Sequence, residues 1–456
     1  MTPCEPLTNK HAVGEQIGAH AVFVISGDED IEEDSRNDVS ITPRVEHGHR
    51  VEPFETFQHK ASQLILDLFP DYCARDVKIE RMQDGENNRF ISVTICKIPP
   101  KAPWYTTRRI REVLQPCLTG RPTRQSKPKR LVLRIPHNPD QYMHHQTVIL
   151  AYTGQKLKHP IPKIVTLDAT AHNALGRSYM LQKRLPGQRL DVLWPTLNQA
   201  QRLSAVRAIS PILLDVRKIR NKCPGLIGIR NTTYDLKHDF VSTEPIPIPR
   251  FRNTPHQVCV NVALSEPQST KDFLLDLCAR QRAYASVAKL PACNDLWGRM
   301  VGMIEGLHES GLIPDSSPFH FYHGDFHPRN LLASVTSESK IRITGIVGWD
   351  FALFAPAFMS THAPFFLCSG DIGKEGGEGD ALAEPEDAEL LEAKRVFESV
   401  VDERFLKEAY SPALVLARRL WRFLVIGFTN GEDIFLAEEI VEEFEKLYSS
   451  AQAECG

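Results

Sequence analysis

Apolar side chains recur at helical spacing from Pro53 onward, at Phe57, Ala61, Leu64, Ile65 and Leu68, and predict an amphipathic helix that opens the folded chain. The pattern then changes to β-rich runs. Val77 to Arg81 and Arg89 to Ile95 read as strands, and Asp84-Gly85-Glu86-Asn87-Asn88 between them has turn chemistry, so the pair predicts a hairpin. Leu131 to Ile135 is a further short strand stopped by Pro136, followed by a helical stretch around Gln141 to Thr153. Two more strands are predicted at Pro160 to Val165 and Ser178 to Gln182, with Asn173 to Gly176 as their turn. From Leu190 the stripes are helical: Leu203, Val206 and Ile209; Phe273, Leu274, Leu277 and Cys278; Leu296, Met300, Met303, Ile304 and Leu307. Stripes at that spacing are expected to be core. Three late helices are predicted over 388–407, 412–428 and 434–447. The order implies an α+β, bilobal fold, with a small β-rich N-lobe followed by a larger helical C-lobe.

Charge marks the segments that do not follow these rhythms. Residues 1–50 hold ten acids against four bases with little periodicity, as expected of a disordered acidic tail. Residues 97–130 hold ten bases and one acid with several prolines, and read as an exposed basic insertion in an N-lobe spanning 51–187. In a C-lobe spanning 188–456, the Gly-rich stretch 370–389 carries eight acids and reads as a mobile loop.

Composition narrows the class. A chain of 456 residues, 42% hydrophobic and 24% charged, is ordinary for a globular protein and excludes a wholly disordered, collagenous or coiled-coil one. A net charge of −3 gives no global basic field, so nucleic acid is not expected as a partner. The ten cysteines form no C-x-x-C pair, which argues against zinc and for free or buried thiols. No secretory leader is visible. The apolar run 413–428 is interrupted by Arg418, Arg419 and Arg422, too early for a membrane span. A soluble, cytoplasmic protein is expected.

The most informative stretch is the loop over 321–332, Phe321-Tyr322-His323-Gly324-Asp325-Phe326-His327-Pro328-Arg329-Asn330-Leu331-Leu332, followed by Ile341 to Asp350. Asp325 and Asn330 lie five apart on a loop that enters a short apolar strand. Such a loop can present a carboxylate to a hydroxyl while the amide oxygen reaches a metal on a nucleotide. The plainer reading is a surface turn in which both residues satisfy local backbone groups. His327, Trp349 and Trp421 sit beside apolar neighbours and are expected to be packing residues.

With these residues in view, the chain resembles the aminoglycoside phosphotransferase and choline-kinase-like branch of the protein-kinase-like fold. The resemblance rests on His323-Gly324-Asp325-x-x-x-x-Asn330 and Gly345-Ile346-Val347-x-Trp349-Asp350. It extends back through Ser178 to Gly187, Val132 to Pro136, and Arg81-Met82-x-x-Gly85-x-x-Asn88-Arg89, covering about residues 55–360. It implies ATP and Mg²⁺, and an as yet unidentified small-molecule hydroxyl as acceptor. By the same resemblance Asp325 is the catalytic base and Asn330 a metal ligand. Gly85 and Asn88 belong to the turn over the phosphates, Arg134 takes the place of the phosphate-binding lysine, and backbone at Gln182, Lys183 and Arg184 forms the adenine hinge. His323 is expected to hold the loop by hydrogen bonds.

The departures carry weight too. The family places a metal-binding Asp immediately before the Trp, where this chain has Gly348. Asp350 is a second metal-ligand candidate: were the segment a strand, it would share a face with position 348. It is equally a carboxylate that caps or pairs inside the lobe. Arg134 offers a planar fork where the family has a flexible point charge, and Gln146 stands about where a glutamate would pair with it. Two function classes follow: an ATP-dependent phosphotransferase acting on a small-molecule hydroxyl, and a degenerate kinase-like (pseudokinase) binding or scaffold protein.

Overall fold

The computed structural model describes residues 52–83, 85, 88–97, 127–137, 143–228, 242–248, 265–288, 293–364, 366 and 382–455. The acidic tail at 1–50 lies outside them, as do most of the basic insertion and the part of the acidic loop up to 381.

The opening helix α1 (Phe54–Leu68) buries Phe57, Ala61, Leu64 and Ile65, the stripe that its spacing predicts. It packs on a five-stranded antiparallel sheet of order β1-β2-β3-β5-β4, made of β1 (Val77–Arg81), β2 (Asn88–Ile95), β3 (Lys129–Pro136), β4 (Ile164–Asp168) and β5 (Tyr179–Lys183). One face of this sheet closes with α1 into a small core that includes Ile91, Val93, Leu133, Ile135 and Leu181. The fourth strand starts later than its β-branched run suggests. Pro160 and Pro162 cannot donate ladder hydrogen bonds, and pairing begins only at Ile164.

Helix α2 (Met143–Lys156) comes next after β3 in the chain, yet its buried Met143, Val148, Ile149, Leu150 and Tyr152 belong to the larger core. Tyr152 meets Phe321 and Phe354 edge-on, so this helix ties the sheet to the strand before the candidate loop. The chain then crosses at Pro186-Gly187. Gly187 sits at φ +98°, and the Thr344 hydroxyl donates to the Pro186 carbonyl at 2.5 Å. After it β6 (Gln188–Arg189) joins β11 (Leu331–Ser337), which pairs with β12 (Lys340–Ile346). The crossing is therefore anchored on the hairpin that follows the candidate loop.

The helical part contains α3 (Gln199–Arg217), α4 (Thr270–Val287), α5 (Asn294–Glu309), α6 (Ala388–Val400), α7 (Glu403–Ala409), α8 (Pro412–Ile426) and α9 (Gly431–Cys455). The predicted stripes on α3, α4 and α5 are all buried. The single helix predicted over 388–407 is instead two, because Asp402 leaves the first and its side chain caps the Phe405 amide of the second at 2.7 Å. A small sheet, with β10 (Phe319–Tyr322) between β7 (Arg220–Asn221) and β13 (Leu353–Ala355), delivers the chain to His323, and β8 (Leu226–Ile227) pairs separately with β9 (Thr243–Glu244). No described helix is long and apolar enough to cross a membrane, and the described cysteines 73, 96, 223, 278 and 293 are free.

Candidate active site

The loop after β10 is held from below by its histidine. His323 is buried, its Nε2 lies 3.0 Å from the Val347 carbonyl, and its Nδ1 accepts the Asp325 amide at 3.2 Å. The first contact requires a proton on Nε2 and the second a lone pair on Nδ1, so both fit one neutral tautomer. Burial pushes the imidazole down to about 4, with Asp325 as the largest opposing influence. The ring also lies 4.3 Å from that of Trp349, whose indole N–H donates to Ile346 at 3.0 Å. Gly324 takes φ +81°, and a Cβ there would lie 2.5 Å from the Phe351 carbonyl oxygen, so both the dihedral and the close approach call for glycine.

Asp325 is consequently fixed in a bend whose far side is the short 3₁₀ turn Pro328–Asn330. That turn brings back two side chains to the carboxylate. Arg329 donates to Oδ1 at 2.9 Å, and the Asn330 amide nitrogen donates to Oδ2 at 2.7 Å and to the Asp325 carbonyl at 2.8 Å. Each carboxylate oxygen retains a further lone pair, and the Asn330 side-chain oxygen faces away from these bonds. The Asp325 side chain is about one-fifth exposed, enough to meet a hydroxyl. The interaction of Arg329 with Asp325 was not foreseeable from spacing, since four residues apart on a loop do not face one another unless a turn closes between them.

On the opposite wall Arg134, on β3, is almost wholly buried and its Nη2 lies 2.8 Å from Asp350 Oδ2. The two are an ion pair by distance without the alignment of a hydrogen bond, and both Nε and Nη2 are left without hydrogen-bond partners. No hydrogen bond joins Arg134 to Gln146 among the described residues, so the base meets the carboxylate across the cleft and not the amide on the neighbouring helix. The Phe90 ring stands 5.9 Å from the Arg134 guanidinium, and a Cβ on Gly85 would touch that ring at 3.2 Å. The turn carrying Gly85 and Asn88 therefore lies on the same chain of contacts as Arg134. Its geometry offers little to a phosphate from Gly85 itself, whose amide donates to the Asn88 carbonyl at 2.9 Å. The buried Asn88 Oδ1 has no partner. Asp84, Glu86 and Asn87 lie outside the described residues.

At the edge of the cleft, Gln182 and Lys183 end β5. The Lys183 and Arg184 amides donate to the Lys163 and Arg130 carbonyls at 2.8 and 3.0 Å, and the Arg184 guanidinium reaches the Ser92 hydroxyl at 2.7 Å.

Position 348 differs from its sequence expectation. Strand β12 ends at Ile346, and Gly348 is the left-handed cap, φ +75°, of a 3₁₀ turn at Trp349–Phe351. Residues 348 and 350 thus share no strand face, and Asp350 reaches Arg134 by way of the turn. A Cβ on Gly348 would lie 2.5 Å from Asn330 Oδ1. Among the described residues no group of three His, Cys, Asp or Glu side chains converges as a cation site. Besides the Asp325 carboxylate, which Arg329 and Asn330 hold, the oxygen donors in the cleft are the Asp350 carboxylate and the amide oxygen of Asn330. That set fits a magnesium ion only when nucleotide phosphates and water complete its shell.

Residues 123–359, just over half of the chain, match the model of the phosphotransferase enzyme family. No curated protein matches. Among solved structures, a thermostable mutant of aminoglycoside phosphotransferase APH(4)-Ia, in ternary complex with ADP and hygromycin B, is 14% identical. That match covers 86% of this chain and 98% of the other, with a TM-score of 0.43. The GDP complex of wild-type aminoglycoside 2'-phosphotransferase-IIIa is 13% identical over 86% of this chain and 99% of the other, with a TM-score of 0.42. The family expected from the His323 loop is the one whose model spans β3 to β5, the crossing and that loop, and this chain belongs to the phosphotransferase enzyme family.

Proposed function

We propose that the protein transfers the γ-phosphoryl group of ATP to a hydroxyl of a small molecule, with Asp325 as the base. The observation that carries this reading is the Asp325 carboxylate, fixed by Arg329 and Asn330 and still open to a hydroxyl. A carboxylate so held needs no reorganisation to orient its substrate. In the step itself the acceptor oxygen bonds to the γ-phosphorus as the bond to the β–γ bridging oxygen breaks. The hydroxyl proton passes to Asp325, and ADP leaves.

Arg134 is the cation placed to meet phosphate oxygens, and to do so it must turn from Asp350. That exchange releases Asp350, which with Asn330 would hold magnesium. Magnesium, when bound, neutralises charge on the phosphates. Asn88, Gly85 and the Gln182 to Arg184 backbone line the nucleotide end, and His323 keeps the loop in place without exchanging protons near neutrality. We place the boundary between the two lobes near residue 187, at the Pro186-Gly187 crossing. The test is Mg·ATP turnover against a panel of hydroxyl acceptors, in wild type and Asp325→Asn. Transfer confined to wild type supports the reading, and equal turnover removes Asp325 from it.

A second reading, a degenerate kinase-like binding or scaffold protein, is favoured by one specific arrangement. Gly348 supplies no carboxylate, and the two charges left for phosphate and metal, Arg134 and Asp350, neutralise each other. In this reading nucleotide adds no stability, or adds it without regard to magnesium.

A further inference from the structure

Beneath β10, away from the residues assigned to transfer, a cavity of about 250 Å³ is lined by Arg217, Arg220, Arg404, His320, Ser316 and Ser317. Three guanidinium groups on one cavity wall would repel one another unless an anion balances them. Among the described residues one carboxylate, Glu408, pairs with these arginines, while Asp315, next to Ser316, pairs with His308. Glu408 accepts Arg217 on one oxygen and Arg404 on the other, the latter at 2.9 Å, and among the described residues it forms no ion pair with Arg220. Arg220 is exposed and makes no ion pair among the described residues.

A second observation is independent of this charge count. Arg217 is only 9% exposed, and its Nε is a buried donor with no hydrogen-bond partner. An unpaired buried donor on a charged group is costly, and native structures seldom retain one without a ligand or water to meet it. His320 forms the floor, paired across the sheet with Arg220 on one side and Ala355 on the other. Its Nδ1 is 3.1 Å from the Ser360 hydroxyl, which leaves Nε2 for the cavity side. Burial, followed by Arg217, Arg220 and Arg404, pushes this imidazole down to about 3, so it stays neutral. Because the Ser360 hydroxyl donates to the Ala357 carbonyl at 2.9 Å, Nδ1 carries the ring proton and Nε2 is a lone pair that can accept the P–OH proton of a hydrogen phosphate. The hydroxyls of Ser316 and Ser317 complete a wall of donors.

We infer that this cavity is an anion site that takes a phosphate group, as inorganic phosphate or as the phosphate of a small monoester. Planar guanidinium forks and hydroxyls match tetrahedral oxyanions better than they match a neutral solute. Simple carboxylates satisfy fewer of the donors.

The test is calorimetric titration of the full chain with inorganic phosphate, in wild type, Arg220→Glu and Arg134→Gln. Arg220 is exposed, so its replacement leaves the core intact, and a circular-dichroism melt checks this. The cavity predicts one phosphate per chain, at least tenfold weaker binding in Arg220→Glu, and unchanged binding in Arg134→Gln. No binding to wild type, equal binding to Arg220→Glu, or loss confined to Arg134→Gln would overturn it, the last by placing the anion in the transfer cleft. If Arg134→Gln fails to fold, the Arg220→Glu comparison decides alone. Repeating the titration with glycerol 3-phosphate in place of phosphate separates the two sources. Tighter binding of the ester that Arg220→Glu again weakens tenfold identifies a phosphorylated metabolite as the occupant, whereas equal binding of both identifies the free ion.

Discussion

Asn330 fills the space that a side chain at Gly348 would need, with its amide oxygen 2.5 Å and its nitrogen 2.7 Å from the Cβ that any other residue would place there. The same nitrogen binds Asp325. Restoring the family's carboxylate at 348 is therefore more than adding a missing ligand, because it displaces the group that holds the base. Gly348→Ala, at φ +75°, should lower stability by about 1–3 kcal/mol, read as a shift in urea midpoint. Gly348→Asp enters the left-handed region more easily than alanine but must expel Asn330. We expect it to raise Mg·ATP turnover less than it loosens Asp325. A large gain in turnover with unchanged stability would show that Asn330 yields freely.

Asp325→Asn should lower transfer by roughly 10²–10⁴-fold while leaving nucleotide affinity within about twofold. Titrating ATP against both proteins and measuring turnover separates the two effects. A matching loss of affinity would mean that Asp325 holds the nucleotide site together, and that its contribution is structural.

The Arg134–Asp350 pair predicts an exchange. In Asp350→Asn the buried guanidinium loses its counterion, which should cost about 1–3 kcal/mol, less than for a fully buried pair because Asp350 is about a quarter exposed. The freed Arg134 should then bind ATP more tightly without magnesium, and added magnesium should contribute little. Unchanged magnesium dependence in the variant would remove Asp350 from the metal's shell.

His323 predicts a pH effect with a definite sign. Its folded value near 4 lies below the ordinary value near 6.5. Between those two pH values the unfolded chain binds a proton that the folded chain refuses, so stability is complete above about 6.5 and falls as pH drops toward 4. The loss is on the order of 3 kcal/mol. Comparing urea midpoints at pH 7.5 and 4.5, wild type should lose more than His323→Gln, and equal losses would contradict the buried neutral assignment.

Much of this was legible in the sequence, for reasons that differ from place to place. The helix at Phe57 to Ile65 and the strands on either side of Gly85 follow from period alone. The loop from His323 to Asn330 could be singled out because a carboxylate and an amide five residues apart mean little on a helix or strand and much on a turn. The role of Gly348 was not legible: a strand was the natural reading of Ile341 to Asp350, and at the left-handed turn that breaks it the space beside position 348 is filled by Asn330, eighteen residues earlier in the chain. The Arg134–Asp350 ion pair joins residues more than two hundred positions apart and has no signature in local pattern. The cavity beneath His320 draws on α3, β7, β10, α7 and the loop before β10 and was equally invisible.

The measurement that bears most directly on the central claim is the thermal stability of the protein with ATP, in the presence and absence of Mg²⁺. At a hundredfold excess over its dissociation constant a ligand adds about 2.7 kcal/mol. If Arg134 turns to the phosphates and Asp350 and Asn330 take the metal, Mg·ATP should raise the melting temperature clearly and metal-free ATP much less. No shift, or one of equal size with and without magnesium, would contradict phosphoryl transfer in this cleft and favour a kinase-like binding protein.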